Sequence, residues 1–265
     1  MNTFAIRQLR EKLGAGKPVH GMWISLEAPT LTEIGVALGL DWIVIDAEHG
    51  HLDWKEIGEH IRAAVRSATV IFVRLTEDNP GLIKRALDIG ADGIIIPHVE
   101  SADQLREIVK MAHFPPNGTR GIGAERATCW GQCFSQHIEE AAAHTLIVPL
   151  IESVDGIKEI PEMLKVNGVE IFWFGPADLS ASAGYAGQWE GPGVADQIIA
   201  GIKQVTAAKK NAGIIVRNEE DMALRESQGI RVLGLGFDTG LVIASLRRML
   251  AAAGKNPILT TSLNP

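Results

Sequence analysis

The 265-residue sequence predicts a single (β/α)8 barrel, the α/β fold in which eight parallel strands alternate with eight helices. Three observations carry that prediction. Short apolar runs recur along the chain at a regular beat. Each run is apolar at nearly every position rather than at alternate ones, as in strands covered on both faces. Helical patterns separate the runs, and the whole set fits the length of one barrel domain, here residues 1–265.

The elements follow in order. Strand-like runs stand at 19–24, 42–46, 69–75, 93–97, 145–151, 170–175, 212–216 and 231–236. Helical patterns stand at 31–38, 54–65, 80–89, 102–112, 157–164, 194–210, 219–228 and 240–253. Start signals precede several helices: Asp78-Asn79-Pro80, Ser101 and Asn218. Gly90, Gly168, Gly213 and Gly229 follow helices, where a left-handed cap is wanted. One segment, 114–143, breaks the beat; its opening is rich in Pro, Gly and Arg and reads as a long functional loop. An open doubly wound sheet is the competing architecture. It usually has fewer strands and a glycine-rich turn after the first, whereas here the first run leads into Ser25-Leu26-Glu27-Ala28-Pro29-Thr30.

Composition narrows the function. Against 25 Lys and Arg stand 32 Asp and Glu, a formal charge of −7, and the basic residues form only short pairs such as Lys209-Lys210 and Arg247-Arg248. This excludes a general binder of nucleic-acid backbones. The amphipathic N-terminus lacks the apolar core of a signal peptide, and no run approaches the length of a membrane span, so a cytoplasmic location is expected. Two cysteines, Cys129 and Cys133, cannot make a four-ligand zinc site; a disulfide is open to them, but nothing else suggests an oxidising compartment.

In a barrel the chemistry gathers where strands end. Asp46, Glu48 and His49 follow the second run, Arg74 ends the third, Glu152 follows the fifth and Asp178 follows the sixth, within Gly175-Pro176-Ala177-Asp178. Glu152 and Asp178 on adjacent strands are suited to a hard divalent cation, Mg²⁺ or Mn²⁺ first and Co²⁺ or Zn²⁺ as alternatives. A solvated rim pair is the plainer account of them. Asp46 and His49 read as a base with an orienting carboxylate. Arg74 reads either as a structural partner of Glu152 and Asp178 or as a fixed charge beside a developing oxyanion. His20, His60, His98, His113, His137 and His144 are expected to be structural. Arg120 is a candidate for touching the distal substrate or a neighbouring subunit, with a surface role in the Pro-Gly turn as its alternative. Trp23 and Trp130 are pocket candidates that core packing would equally explain.

At these residues the sequence resembles the HpcH/HpaI aldolase family of class II, pyruvate-dependent aldolases. The likeness spans about 13–250 and is carried by DWIVIDAEHG (41–50), VRL (73–75), PPNGTRGIG (115–123), IES (151–153) and above all FGPADLSASAGYAG (174–187). It implies metal ligation by Glu152 and Asp178 and a pyruvate-carboxylate contact at the amides of Ala177 and Asp178, beside Gly175. It also implies His49 as general base, Arg74 as transition-state stabiliser and Asp88 as the carboxylate that raises the histidine's basicity. From the residues alone Asp46 takes that last role, and both are kept. The resemblance further implies reversible cleavage of a 4-hydroxy-2-oxo acid to pyruvate and an aldehyde, and a homo-hexamer built as a trimer of dimers that exchange the C-terminal helix. The sequence departs from the family at Leu150, where a glutamine that contacts the keto acid is usual, which leaves open another lyase or synthase acting on the same enolate. A lysine Schiff base finds no support, because Lys55, Lys84, Lys110 and Lys158 all fall in helical patterns. A non-catalytic metabolite binder is the remaining alternative, and the retained polar set argues against it.

Overall fold

The computed structural model describes residues 1–189 and 191–255; position 190 and 256–265 of the expected domain lie outside the described residues. Eight strands close a parallel barrel in chain order. They are β1 (Val19–Ile24), β2 (Trp42–Asp46), β3 (Val70–Arg74), β4 (Gly93–Ile96), β5 (Leu146–Ile151), β6 (Ile171–Phe174), β7 (Asn211–Ile215) and β8 (Val232–Phe237). Each coincides with a predicted run to within about two residues at either end, the usual uncertainty of such boundaries. The register places Asp46 of β2 opposite Arg74 of β3, and the β1–β8 seam is interrupted by a register shift between Gly21 and Trp23.

The helices are α1 (Thr3–Gly14), α2 (Pro29–Ala37), α3 (Trp54–Ala63), α4 (Pro80–Asp88), α5 (Ala102–Ala112), α6 (Phe134–His144), α7 (Val154–Met163), α8 (Pro176–Ser182), α9 (Val194–Ala207), α10 (Glu219–Ser227) and α11 (Asp238–Ala252). The predicted start signals function as caps. Asn79 accepts from the amides of Gly81 and Leu82, Ser101 from Gln104, and Asn218 from Asp221. Gly90, Gly168 and Gly229 have positive φ, as expected after a helix, but Gly213 does not. It lies inside β7, where an added Cβ would stand 2.5 Å from the Trp173 ring. The segment 114–143 is less open than its composition suggested: it contains a 3-10 turn at Arg126–Thr128 and all but the last residue of α6.

Two apolar layers hold the molecule together. The outer one packs the helices on the sheet through residues such as Ile43, Ile71, Ile94, Ile160 and Phe172. The inner one fills the barrel with Trp23, Trp42, Phe72, Val148, Leu150 and Trp173, and α1 closes its base with Ala5, Ile6, Leu9 and Leu13. Trp173 meets Trp23 and Trp42 edge-on at 5.4 and 5.2 Å. These indoles need space, and Gly21 provides it: a Cβ there would sit 2.1 Å from Trp42. At the base, the buried Asp92 accepts from the amides of Asn2 and Ile71, which ties the N-terminal segment to β3. By contrast α11 buries only its first residue, and Leu241, Val242, Ile243, Leu246 and Met249 are exposed along it. No helix among the described residues is long and apolar enough to cross a membrane.

Candidate active site

The polar residues named from the sequence come together at the C-terminal ends of β2, β3 and β5 because a parallel barrel sends every strand end to one rim. Alternation along each strand does the rest. On β5, Val148, Leu150 and Glu152 face the axis in succession, so the carboxylate of Glu152 stands one layer above the apolar Leu150.

Arg74 is buried and held on three sides. Its Nε donates to Asp46 Oδ1 at 2.8 Å and its Nη2 to Asp46 Oδ2 at 2.5 Å, while Nη1 lies 2.8 Å from Glu48 Oε2. The guanidinium also stacks over the Trp23 ring at 4.8 Å. The ion pair is therefore with Asp46 and Glu48, not with the expected Glu152 and Asp178. Asp46 spends its carboxylate on Arg74 and accepts the amides of Glu48 and His49. It fixes the backbone of the histidine loop rather than contacting the imidazole. Glu48 Oε2 lies 3.9 Å from His49 Nε2, and the imidazole is itself 66 % exposed.

Glu152 is 4 % exposed. Its Oε1 accepts the His98 amide at 2.8 Å and lies 3.5 Å from His98 Nδ1. Burial pushes its carboxyl up to about 7; the His98 amide opposes this, and Asp178 and Glu48 add to it. Gly175 lets the other oxygen turn toward β6, since a Cβ there would stand 2.9 Å from Oε2. Asp178 is exposed in the first turn of α8, beside Ala177. Among the described residues, no three His, Cys, Asp or Glu side chains gather around one point. The residues nonetheless fit a divalent cation. A buried carboxylate whose charge is unfavourable, with a second carboxylate in its field and no lysine or arginine paired to it among the described residues, is the donor set a hard cation stabilises.

Three other residues stand elsewhere than expected. Asp88 ends α4, which runs from the mouth back to the base, so it is not beside His49 in this chain. It pairs instead with Arg120 at 2.7 Å. Arg120 is neither a surface residue nor at the mouth: its side chain is fully buried against Phe114, with Nε and Nη1 unpartnered. Trp130 is 69 % exposed near the base, while Trp23 lies under Arg74 as core. Sequence reasoning set aside His98 as structural, yet it stands at the mouth with a left-handed φ of 49°. The signal that singled out His49, a polar residue directly after a buried strand, applies equally to His98 after Pro97. A second missed residue is Asp238, buried at the end of β8. It accepts the Ser25 and Leu26 amides and so holds the loop after β1.

A mouth of this kind, with fixed cationic and anionic groups over a sealed floor, belongs to a barrel enzyme. The chain is a member of the HpcH/HpaI aldolase/citrate lyase family, whose model matches residues 20–245, and it is a lyase on that ground. It is 32 % identical to a 2-keto-3-deoxy-L-rhamnonate aldolase of Escherichia coli over 97 % of both chains. It is likewise 32 % identical to a 4-hydroxy-2-oxo-heptane-1,7-dioate aldolase of Shigella sonnei, over 91 % of this chain and 93 % of that one. Among solved structures it resembles the citrate synthase SbnG, with a TM-score of 0.83 and 30 % identity over 93 % of this chain and 97 % of the other.

Proposed function

We propose that the protein is a divalent-metal-dependent aldolase that cleaves a 4-hydroxy-2-oxo acid reversibly to pyruvate and an aldehyde. The observation that carries this reading is Glu152: a buried, protonation-prone carboxylate facing Asp178 and Glu48 with no basic side chain but His98 paired to it among the described residues. Glu152 and Asp178 would hold the cation, and when bound it supplies Lewis acidity toward the keto oxygen. His49, exposed at the rim, takes the proton of the 4-hydroxyl through a water. As the C3–C4 bond breaks, its electron pair becomes the pyruvate enolate. Arg74, whose Nε and Nη2 each donate one hydrogen bond to Asp46 while Nη1 stands in an ion pair with Glu48, keeps N–H groups free to stabilise that charge. The backbone near Gly175, Ala177 and Asp178 receives the pyruvate carboxylate. Reprotonation of the enolate at C3 releases pyruvate.

The exposed apolar face of α11 favours a homo-oligomer that exchanges this helix, in keeping with a hexamer. The acidic chain, with its net charge of −7, suits a cytoplasmic enzyme. A second reading has one specific support. SbnG is a citrate synthase, and Leu150 places an aliphatic side chain beneath Glu152, so carbon–carbon bond formation on, or decarboxylation of, a 2-oxo acid is the alternative. Pyruvate release measured over a panel of 4-hydroxy-2-oxo acids and oxaloacetate, with and without chelator, separates the readings. The aldolase reading expects turnover of the hydroxy acids that is abolished by chelation and restored by Mg²⁺ or Mn²⁺. Turnover in excess chelator, trapped by borohydride, would sink it.

A further inference from the structure

At the far end of the barrel from Glu152, the turn that precedes α6 brings together the chain's two cysteines. Both are free; Cys129 is exposed and Cys133 is half-buried at the N-cap of α6. The chain reverses here through positive φ at Cys129, Trp130 and Gly131. The Gln132 amide donates to Cys129 O at 3.2 Å and the Cys133 amide to Thr128 O at 3.0 Å. The turn thus folds Cys133 back toward Cys129, and this neighbour, together with lesser burial, holds the Cys133 thiol above its ordinary range. Thiol–thiol approach is what a disulfide requires.

The surroundings of Cys129 add a second observation. With Arg66, Arg126 and Trp130 it lines a cavity of about 490 Å³, and the Arg126 guanidinium is an electrostatic neighbour of its sulfur. The acid on the same wall, Asp92, is buried and tied to the amides of Asn2 and Ile71. An exposed thiol beside a guanidinium in an open cleft is the setting in which cysteines react.

We propose that Cys129 and Cys133 form a thiol-modification site: Cys129 attacks a carboxylate-bearing low-molecular-weight disulfide seated against Arg66 and Arg126, and Cys133 resolves the adduct. In the first step the Cys129 thiolate displaces one small thiolate and forms a mixed disulfide. In the second, Cys133 loses its proton to water and attacks the Cys129 sulfur, closing the Cys129–Cys133 bond and releasing the other small thiolate. Two protein thiols are oxidised and one small disulfide is reduced to two thiols.

The test uses the full-length protein, oxidised glutathione and intact-mass measurement. Wild type is expected to lose both titratable thiols while retaining no glutathione. Cys133→Ser is expected to keep one glutathionyl group, mapped to Cys129, and Cys129→Ser to react at least about tenfold more slowly. Arg126→Gln is expected to slow the reaction with oxidised glutathione but not with the neutral hydroxyethyl disulfide. Thermal unfolding of each variant, unchanged from wild type, shows that the fold is kept. The proposal is overturned if wild type and Cys133→Ser both retain free thiols, or if the adduct forms on Cys133 instead. Equal rates for Arg126→Gln and wild type with both disulfides overturn the role of the cavity. None of these readouts depends on the reaction at the mouth.

Discussion

Arg74 is fastened in place more firmly than substrate binding alone requires. Its fork is bidentate on Asp46, its third nitrogen faces Glu48, and its plane rests on Trp23. Arg74→Lys would keep a positive charge but lose the fork, and kcat should fall about 10²-fold or more, measurable by pyruvate release. Arg74→Ala would leave Asp46 buried without its partner and should lower stability by about 3–5 kcal/mol, read from denaturant unfolding. His137 supplies a pH signature of its own. Burial, with the charge of Arg120 beside it, lowers its pKa from 6.5 to about 4, and its ring Nε2 has no partner. The unfolded chain takes up this proton at 6.5 while the folded chain does not until about 4, so stability should fall as the pH drops through that window. His137→Gln should flatten the fall; an unchanged profile in chemical unfolding at pH 7 and pH 4.5 would show that other groups govern it.

The elements were largely written in the sequence, the site less so. Strands covered on both faces are apolar throughout, and caps such as Ser101 are local signals, so both could be read from neighbouring residues. Ser101→Ala should destabilise the protein by about 1 kcal/mol, since it orphans the Gln104 amide at the start of α5. Gly213 could not be read locally. It looked like a helix cap because it follows Lys209-Lys210-Asn211, and the Trp173 ring that demands its small size comes from another strand. The same limit hid the partners of Arg74, Asp88 and Arg120: the sequence shows that a charge stands on a strand or helix end, but the closing of the barrel decides which acid meets it. Gly21→Ala tests this cross-strand constraint. A methyl 2.1 Å from Trp42 forces that ring out of the core, and a loss of about 3 kcal/mol or more is expected in thermal or chemical unfolding.

At the scale of the whole molecule, α11 is the element least accounted for by one chain. A barrel's last helix ordinarily docks on the strands beside it, yet this one leaves five large apolar side chains exposed. Truncation before Asp238 should lower the molecular mass measured by light scattering to that of a monomer. An unchanged mass would show that α11 does not join copies of the chain. The truncation also removes the carboxylate that holds the loop after β1, so Leu246→Glu with Met249→Glu is the cleaner variant, expected to dissociate the assembly while leaving the mouth intact.

The edge-to-face indoles carry a consequence for traffic through the enzyme. The void left at the centre of the barrel, between Trp42, Phe72 and Trp173, is about 10 Å³, room for one water molecule at most, and its walls are apolar. Among the described residues the axis is therefore closed beneath the mouth. Every molecule that reaches the mouth must leave the way it came, and the two products of a cleavage must depart in sequence past the same rim. A solvent hydron arriving at the reacting carbon has that single doorway too, so whatever narrows the rim would govern turnover and exchange together.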